Sequence, residues 1–179
     1  MMRATAVLLA AAALAAPPPS ASAQTLDLPA RKAGLWEISM TVEKPKAMPA
    51  FTSQMCLDPA TDREMMDYGL KLAGGKCRSL TTRRQGQSYV IETDCTVAGI
   101  ASKSKIVITG DFGSAYTVRA EGMLEGGPGA EKAPQSMLMT QVAKWKSADC
   151  PGMKPGDMTM GGGIKVNIKQ LKALSGLIR

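Results

Sequence analysis

The sequence predicts a mainly β domain: an antiparallel meander forming a sandwich or an up-and-down barrel, with one short helical excursion and a C-terminal amphipathic helix. Three observations carry that expectation. Apolar and polar residues alternate with a period of two in stretch after stretch, as half-buried strands require. Short turn-forming segments, several with glycine, separate those stretches. One face of each stretch is polar, which fits antiparallel sheets better than parallel sheets covered on both sides.

Taken in order, Trp36, Ile38, Met40 and Val42 alternate with Glu37, Ser39 and Thr41 in a first strand. Residues 44–50, with Pro45 and Pro49, read as a loop, and residues 51–57 as a second strand that Asp58-Pro59 stops. Thr61 is then placed to cap a helix reaching Leu72, because Met65, Met66 and Leu70 recur at helical spacing before Gly74-Gly75. Residues 78–84 and 88–95 flank Gln85-Gly86-Gln87, a compact hairpin turn. In residues 103–109 the face carrying Lys103 and Lys105 lies opposite Ile106 and Ile108. Gly110-Asp111-Phe112-Gly113 turns the chain into residues 115–121, where Tyr116, Val118 and Ala120 face one way. A loop at 126–134 leads to the seventh strand, 137–146, which carries Trp145.

The termini differ in composition. Arg3, an apolar stretch at 4–16, three prolines and Ala21-Ser22-Ala23 have the layout of a signal peptide over residues 1–23, with cleavage leaving Gln24 first. The stretch falls short of the roughly 20 residues a membrane span needs, and no later segment approaches that length. Export to the periplasm or the medium is therefore expected. Residues 24–150 form the expected domain. Residues 151–163 read as a Gly/Pro/Met linker, and residues 164–179 as a basic amphipathic tail. In the tail, Ile164, Ile168, Leu171, Leu174 and Ile178 make an apolar stripe beside Lys165, Lys169, Lys172 and Arg179. That stripe has two surfaces to cover, its own β domain or an anionic membrane, where each cation gains about 1 kcal/mol.

Four cysteines, Cys56, Cys77, Cys95 and Cys150, make an even count in an exported chain and imply two disulfides. Of three connectivities, Cys56–Cys77 with Cys95–Cys150 is favoured, closing the helical excursion and tying the meander to its last strand. Cys77–Cys95 across the hairpin, nearly symmetric about Gly86, is the rival. No C-x-x-C pair of the zinc-binding kind is present. The net charge of +7, or +6 once Arg3 leaves with the signal, points to anionic partners such as phospholipid headgroups or acidic proteins. With only 4% aromatic residues the chain lacks the stacking platforms of a nucleic-acid binder.

Gly34-Leu35-Trp36-Glu37 just after the signal, a Pro/Met loop, the four dispersed cysteines and Asp149-Cys150 together resemble a known group. It is the bacterial periplasmic domain-of-unknown-function family whose members open with a Gly-Leu-Trp-Glu strand. The resemblance spans residues 31–150 and implies an exported, compact β domain with paired cysteines. The family has no established activity, so it lends no catalytic residues. Two features depart from it: the segment after Cys150 lies outside the pattern, and the Pro/Met loop is short and basic.

The chemistry open to the chain is narrow. Without a single histidine there is no Ser-His or Cys-His pair, no His-held zinc and no His-ligated haem. Ser102-Lys103-Ser104-Lys105 places neighbours on opposite strand faces, where serine and lysine do not meet. Glu92 and Asp94 share a face that reads as a solubilising surface. Gly161-Gly162-Gly163 lacks the Lys-Ser/Thr of a phosphate loop and reads as a hinge. Eleven of the thirteen methionines lie beyond Met1 and Met2, and Met153, Met158 and Met160 cluster where thioethers would suit Cu(I). Met40, Met55, Met137 and Met139 read as apolar filler in strands. The expectation is a non-enzymatic periplasmic binding or interaction module for an apolar or anionic ligand, without catalytic residue or cofactor. Cu(I) binding is the alternative.

Overall fold

The computed structural model describes residues 28–72, 77–97, 99–126, 133–159 and 163–177. The expected signal peptide, Gly74-Gly75, Met160 and Arg179 lie outside them. The chain runs β1 (Gly34–Lys44), β2 (Met48–Leu57), α1 (Pro59–Leu72), β3 (Cys77–Gln85), β4 (Ser88–Val97), β5 (Ile100–Asp111), β6 (Ala115–Glu125), β7 (Gln135–Ser147), β8 (Asp157–Thr159), β9 (Lys165–Asn167) and α2 (Ile168–Leu177). The nine strands of the described residues form one antiparallel sheet in the order β3-β4-β5-β6-β7-β1-β2-β8-β9. The mainly β antiparallel expectation holds. The architecture is neither a two-sheet sandwich nor a closed barrel, because no ladder joins β3 to β9 among the described residues.

The register explains which face is the core. Directly paired residues of antiparallel strands share a face. Tyr89, Ile108, Val118, Gln141, Met40 and Phe51 therefore form one row across six strands. A second row runs Gly110, Tyr116, Ala143, Ile38 and Ser53. Trp36, Ile38, Ile91, Ile108, Tyr116 and Ala143 on this inner face form the buried core together with Leu57. Lys103 and Lys105 occupy the other face, as the alternation requires.

The segment before β1 is laid against one end of that core. Lys32 donates its backbone N–H to Phe112 O at 2.9 Å, and Trp36 Nε1 donates to Lys32 O at 2.8 Å. Trp145 Nε1 donates to Ala33 O at 2.9 Å, with Lys32 Nζ 3.7 Å above its ring. Gly34 is the hinge between this segment and β1. At φ +122° a Cβ there would lie 2.2 Å from Ser147 O, so the glycine of Gly-Leu-Trp-Glu is a steric requirement of the β1–β7 contact.

The turns differ from the sequence reading at several points. The loop at 44–50 shrinks to 45–47, and Pro49 sits inside β2. It is tolerated there because the β1–β2 register is irregular between Met40 and Val42, and β8 pairs with β2 at Met55↔Met158, well away from Pro49. The α1 N-cap is Asp58 rather than Thr61. Asp58 Oδ1 accepts from Thr61 N–H at 2.7 Å, and Thr61 Oγ1 accepts from Asp58 N–H at 2.9 Å, with Pro59 as the first helical residue. These bonds from Thr61 hold the Asp58 carboxyl below its ordinary 3.8. A folded-state pKa depressed in this way gives stability that is complete above 3.8 and lost as pH falls through the lower folded value. Asp58→Ala should cost about 1 kcal/mol at neutral pH and much less at acid pH, read from denaturant midpoints. An equal loss at both pH values would contradict the capping role.

The disulfides are Cys56–Cys150 and Cys77–Cys95, which corrects the favoured pairing and makes the hairpin bridge real. The reason is topological. Helix α1 carries the chain from β2 to β3, which have five strands between them, so Cys56 and Cys77 are remote. Cys77 faces Cys95 directly in the β3–β4 ladder. Cys56 and Ser147 both flank Leu35, which brings Cys150 beside Cys56.

Two strands were not expected, β8 from the stretch read as a linker and β9 from the start of the tail. They form a small hairpin: Asn167 Nδ2 donates to Asp157 Oδ1 at 2.7 Å, and Gly156 N–H donates to Cys56 O at 2.8 Å. Buried Gly156 has φ +89°, and a Cβ there would lie 2.9 Å from Ile168 Cγ2. The helix starts only at Ile168, with Asn167 Oδ1 accepting from Lys169 N–H at 3.0 Å as its cap. Ile164, read as part of the helical stripe, precedes it and is 63% exposed.

Candidate functional site

Helices α1 and α2 pack over the inner face of the sheet and leave a cavity of about 480 Å³ beneath them. Its floor is part of one register row: Ile108, Val118 and Gln141. Met65 and Met66 reach it from α1, and the β2–β8 partners Met55 and Met158 close one side. Phe112 and Tyr116, stacked with centroids 5.0 Å apart, form another wall. Ile168, 1% exposed, and Leu171 bring α2 to the same space. The size falls within the 300–1,000 Å³ range of small-molecule pockets, and the lining is apolar with few polar groups. Thioether side chains are flexible and repack around varied apolar shapes.

One charged constellation stands on this wall. Asp62, in the first turn of α1, is 1% exposed, and its Oδ1 accepts from Arg31 Nε at 2.5 Å. Its Oδ2 accepts from the Arg31 backbone N–H at 3.0 Å. Arg31 Nη1 donates to Tyr116 Oη at 3.3 Å and reaches Met55 Sδ at 3.6 Å. Burial pulls the Arg31 pKa down, but Tyr116 and Asp62 more than offset this and leave it raised above its ordinary value. The guanidinium is therefore a permanent cation in an apolar surrounding.

A larger depression of about 680 Å³ is open to solvent and bordered by Lys103, Arg119 and Glu121 on the polar face of the sheet. The surface role read for Glu92 and Asp94 agrees with their surroundings. Glu92 takes a two-bond contact from Arg83 at 2.7 and 2.9 Å, which lowers its pKa, and Asp94 lies 3.7 Å from Arg78 and 3.9 Å from Lys103. Ser104 bonds Thr93 at 2.7 Å on the face away from Lys103 and Lys105.

The residues singled out from sequence are dispersed. Met158 lines the pocket, Met153 lies in the turn after Cys150, and Met160 is outside the described residues. Met158 instead shares the pocket lining with Met55, Met65 and Met66. Lys165 Nζ donates to Gly152 O, Lys172 Nζ lies 3.6 Å from Glu64 Oε1, and Lys169 is exposed. Within α2, Ile168 and Leu171 of the apolar stripe turn inward to the pocket, while Ile164 ahead of the helix stays exposed. No group of three or more His, Cys, Asp or Glu side chains suited to a metal occurs among the described residues. Arg31, Asp62 and Tyr116 carry no sequence signal as a set. Their separations of 31 and 85 residues follow no periodicity, and only the fold joins them.

Comparison with curated proteins and with solved structures finds no match. A family model described as "Protein of unknown function (DUF3617)" matches residues 31–150, from the pocket arginine to the last cysteine. The matched region holds all four cysteines, the Gly-Leu-Trp-Glu strand and most of the pocket, and the chain belongs to the DUF3617 family.

Proposed function

We propose that this protein is an exported, non-enzymatic binding module that holds an apolar small molecule in the methionine-lined pocket. The observation that carries the reading is the cavity itself: about 480 Å³ walled by four thioethers and two stacked aromatic rings. Each methylene that such a ligand withdraws from water contributes about 0.8 kcal/mol. Export rests on the signal-like residues 1–23, and the two disulfides mark a protein of an oxidising, non-cytoplasmic compartment. No helix among the described residues is long and apolar enough to cross a membrane.

A second reading, Cu(I) binding through thioethers, draws on the same gathering of Met55, Met65, Met66 and Met158. The apolar ligand is preferred because the Arg31 cation already lies 3.6 Å from Met55 Sδ and would repel a metal cation.

Filling the pocket tests the proposal. Val118 is half-buried at the centre of the floor, and Val118→Trp places an indole in the cavity. Affinity for the neutral dye N-phenylnaphthylamine should fall by more than about tenfold, while overpacking costs at most about 1–3 kcal/mol of stability. Dye binding that is unchanged in a folded variant would refute the pocket as the site.

A further inference from the structure

We infer that the pocket's ligand is an amphiphile whose anionic head is received by Arg31 and Tyr116, an inference that rests on the pocket being the binding site. The guanidinium is only partly used. Asp62 takes Nε alone, so the edge formed by Nη1 and Nη2 has no carboxylate partner. Nη1 has a phenol oxygen at 3.3 Å and a thioether sulfur at 3.6 Å, both weak acceptors at long range, and Nη2 makes no hydrogen bond to a described residue.

Tyr116 adds a second donor. Its oxygen accepts from Arg31, and its own hydroxyl hydrogen is given to no other described group. A guanidinium edge beside a free phenolic O–H is a receptor for a carboxylate or phosphate monoester oxygen pair, which arginine binds with two parallel bonds. Both residues line the cavity that would hold the apolar chain. Asp62 fixes the receptor in place: it holds the Arg31 side chain and backbone together from the first turn of α1. Head and tail requirements thus meet in one cavity, and the ligand class that satisfies both is a single-chain anionic amphiphile.

The test compares palmitate, hexadecyl phosphate, hexadecanol and hexadecyltrimethylammonium on the oxidised full chain, by displacement of the neutral dye. The expected order places at least one anion about tenfold or more above hexadecanol, with the ammonium weakest. Palmitate above hexadecyl phosphate assigns a carboxylate head, and the reverse order a phosphate. Arg31→Gln alone strands buried Asp62, so the variant used is Arg31→Gln/Asp62→Asn, which removes both charges together. It should lose the anion preference, with palmitate and hexadecyl phosphate falling to the level of hexadecanol measured on the same variant. An equal response to anion and alcohol in the parent, or a preference that survives in the folded double variant, overturns the head assignment while leaving the pocket reading intact. Failure of all four compounds to displace the dye would instead overturn the pocket reading, and this inference with it.

Discussion

Replacing Cys56 and Cys150 together by alanine should cost about 4 to 5 kcal/mol, the larger of the two disulfide effects. The bridge closes a separation of 94 residues, whereas Cys77–Cys95 closes 18 and is worth about 3 kcal/mol by the same loop-entropy argument. The two should differ more in function than in stability. Cys150 opens the segment that supplies Met158, Ile168 and Leu171 to the pocket, and Gly156 is bonded to Cys56 O. Losing this bridge frees that wall, so dye binding should fall steeply even where the sheet remains folded. Losing Cys77–Cys95 loosens only an edge hairpin and should leave binding near the parent level. Denaturant midpoints and dye titrations on both double variants read the two effects. Equal binding by both variants would contradict the assignment of the C-terminal segment to the site.

Asp62→Ala carries the next largest effect, a destabilisation of about 3–5 kcal/mol. It leaves the Arg31 guanidinium, whose side chain is 12% exposed, without its carboxylate in an apolar wall. Arg31→Met/Asp62→Leu removes both charges and should recover most of the loss, because the pair's attraction barely exceeds the cost of taking both ions from water. A thermal melt of each variant makes the comparison. If Asp62→Ala were neutral, the pair would not be buried as described. If the apolar double variant were as unstable as the single one, the packing around α1 and not the charge would be responsible.

These effects follow from contacts that the sequence shows unevenly. Period-two patterns such as Trp36, Ile38, Met40, Val42 and Tyr116, Val118, Ala120 are local, so the strands and their buried faces were legible. Sheet order was not, because α1 crosses from β2 to β3 over five intervening strands and nothing local encodes that journey. The favoured disulfide pairing failed for this reason: it treated the helix as a local excursion. The β8–β9 hairpin escaped because three-residue strands are too short for periodicity, and its signals are single contacts such as Asp157 with Asn167. Of the site, the thioethers were visible as a composition and Met65-Met66 as a helix face. Their meeting with Met55 and Met158, and the coupling of Arg31 to Asp62 and Tyr116, arise only when distant segments pack together.

The central claim, an exported module carrying an apolar ligand, is tested most directly by native mass spectrometry of the protein taken from the periplasm of intact cells. The account expects a chain that begins at Gln24, four hydrogens lighter than its reduced mass, with an added organic mass that solvent extracts and that Val118→Trp excludes. A chain still carrying residues 1–23, a retained copper mass, or a bare chain whose spectrum Val118→Trp leaves unchanged would contradict it.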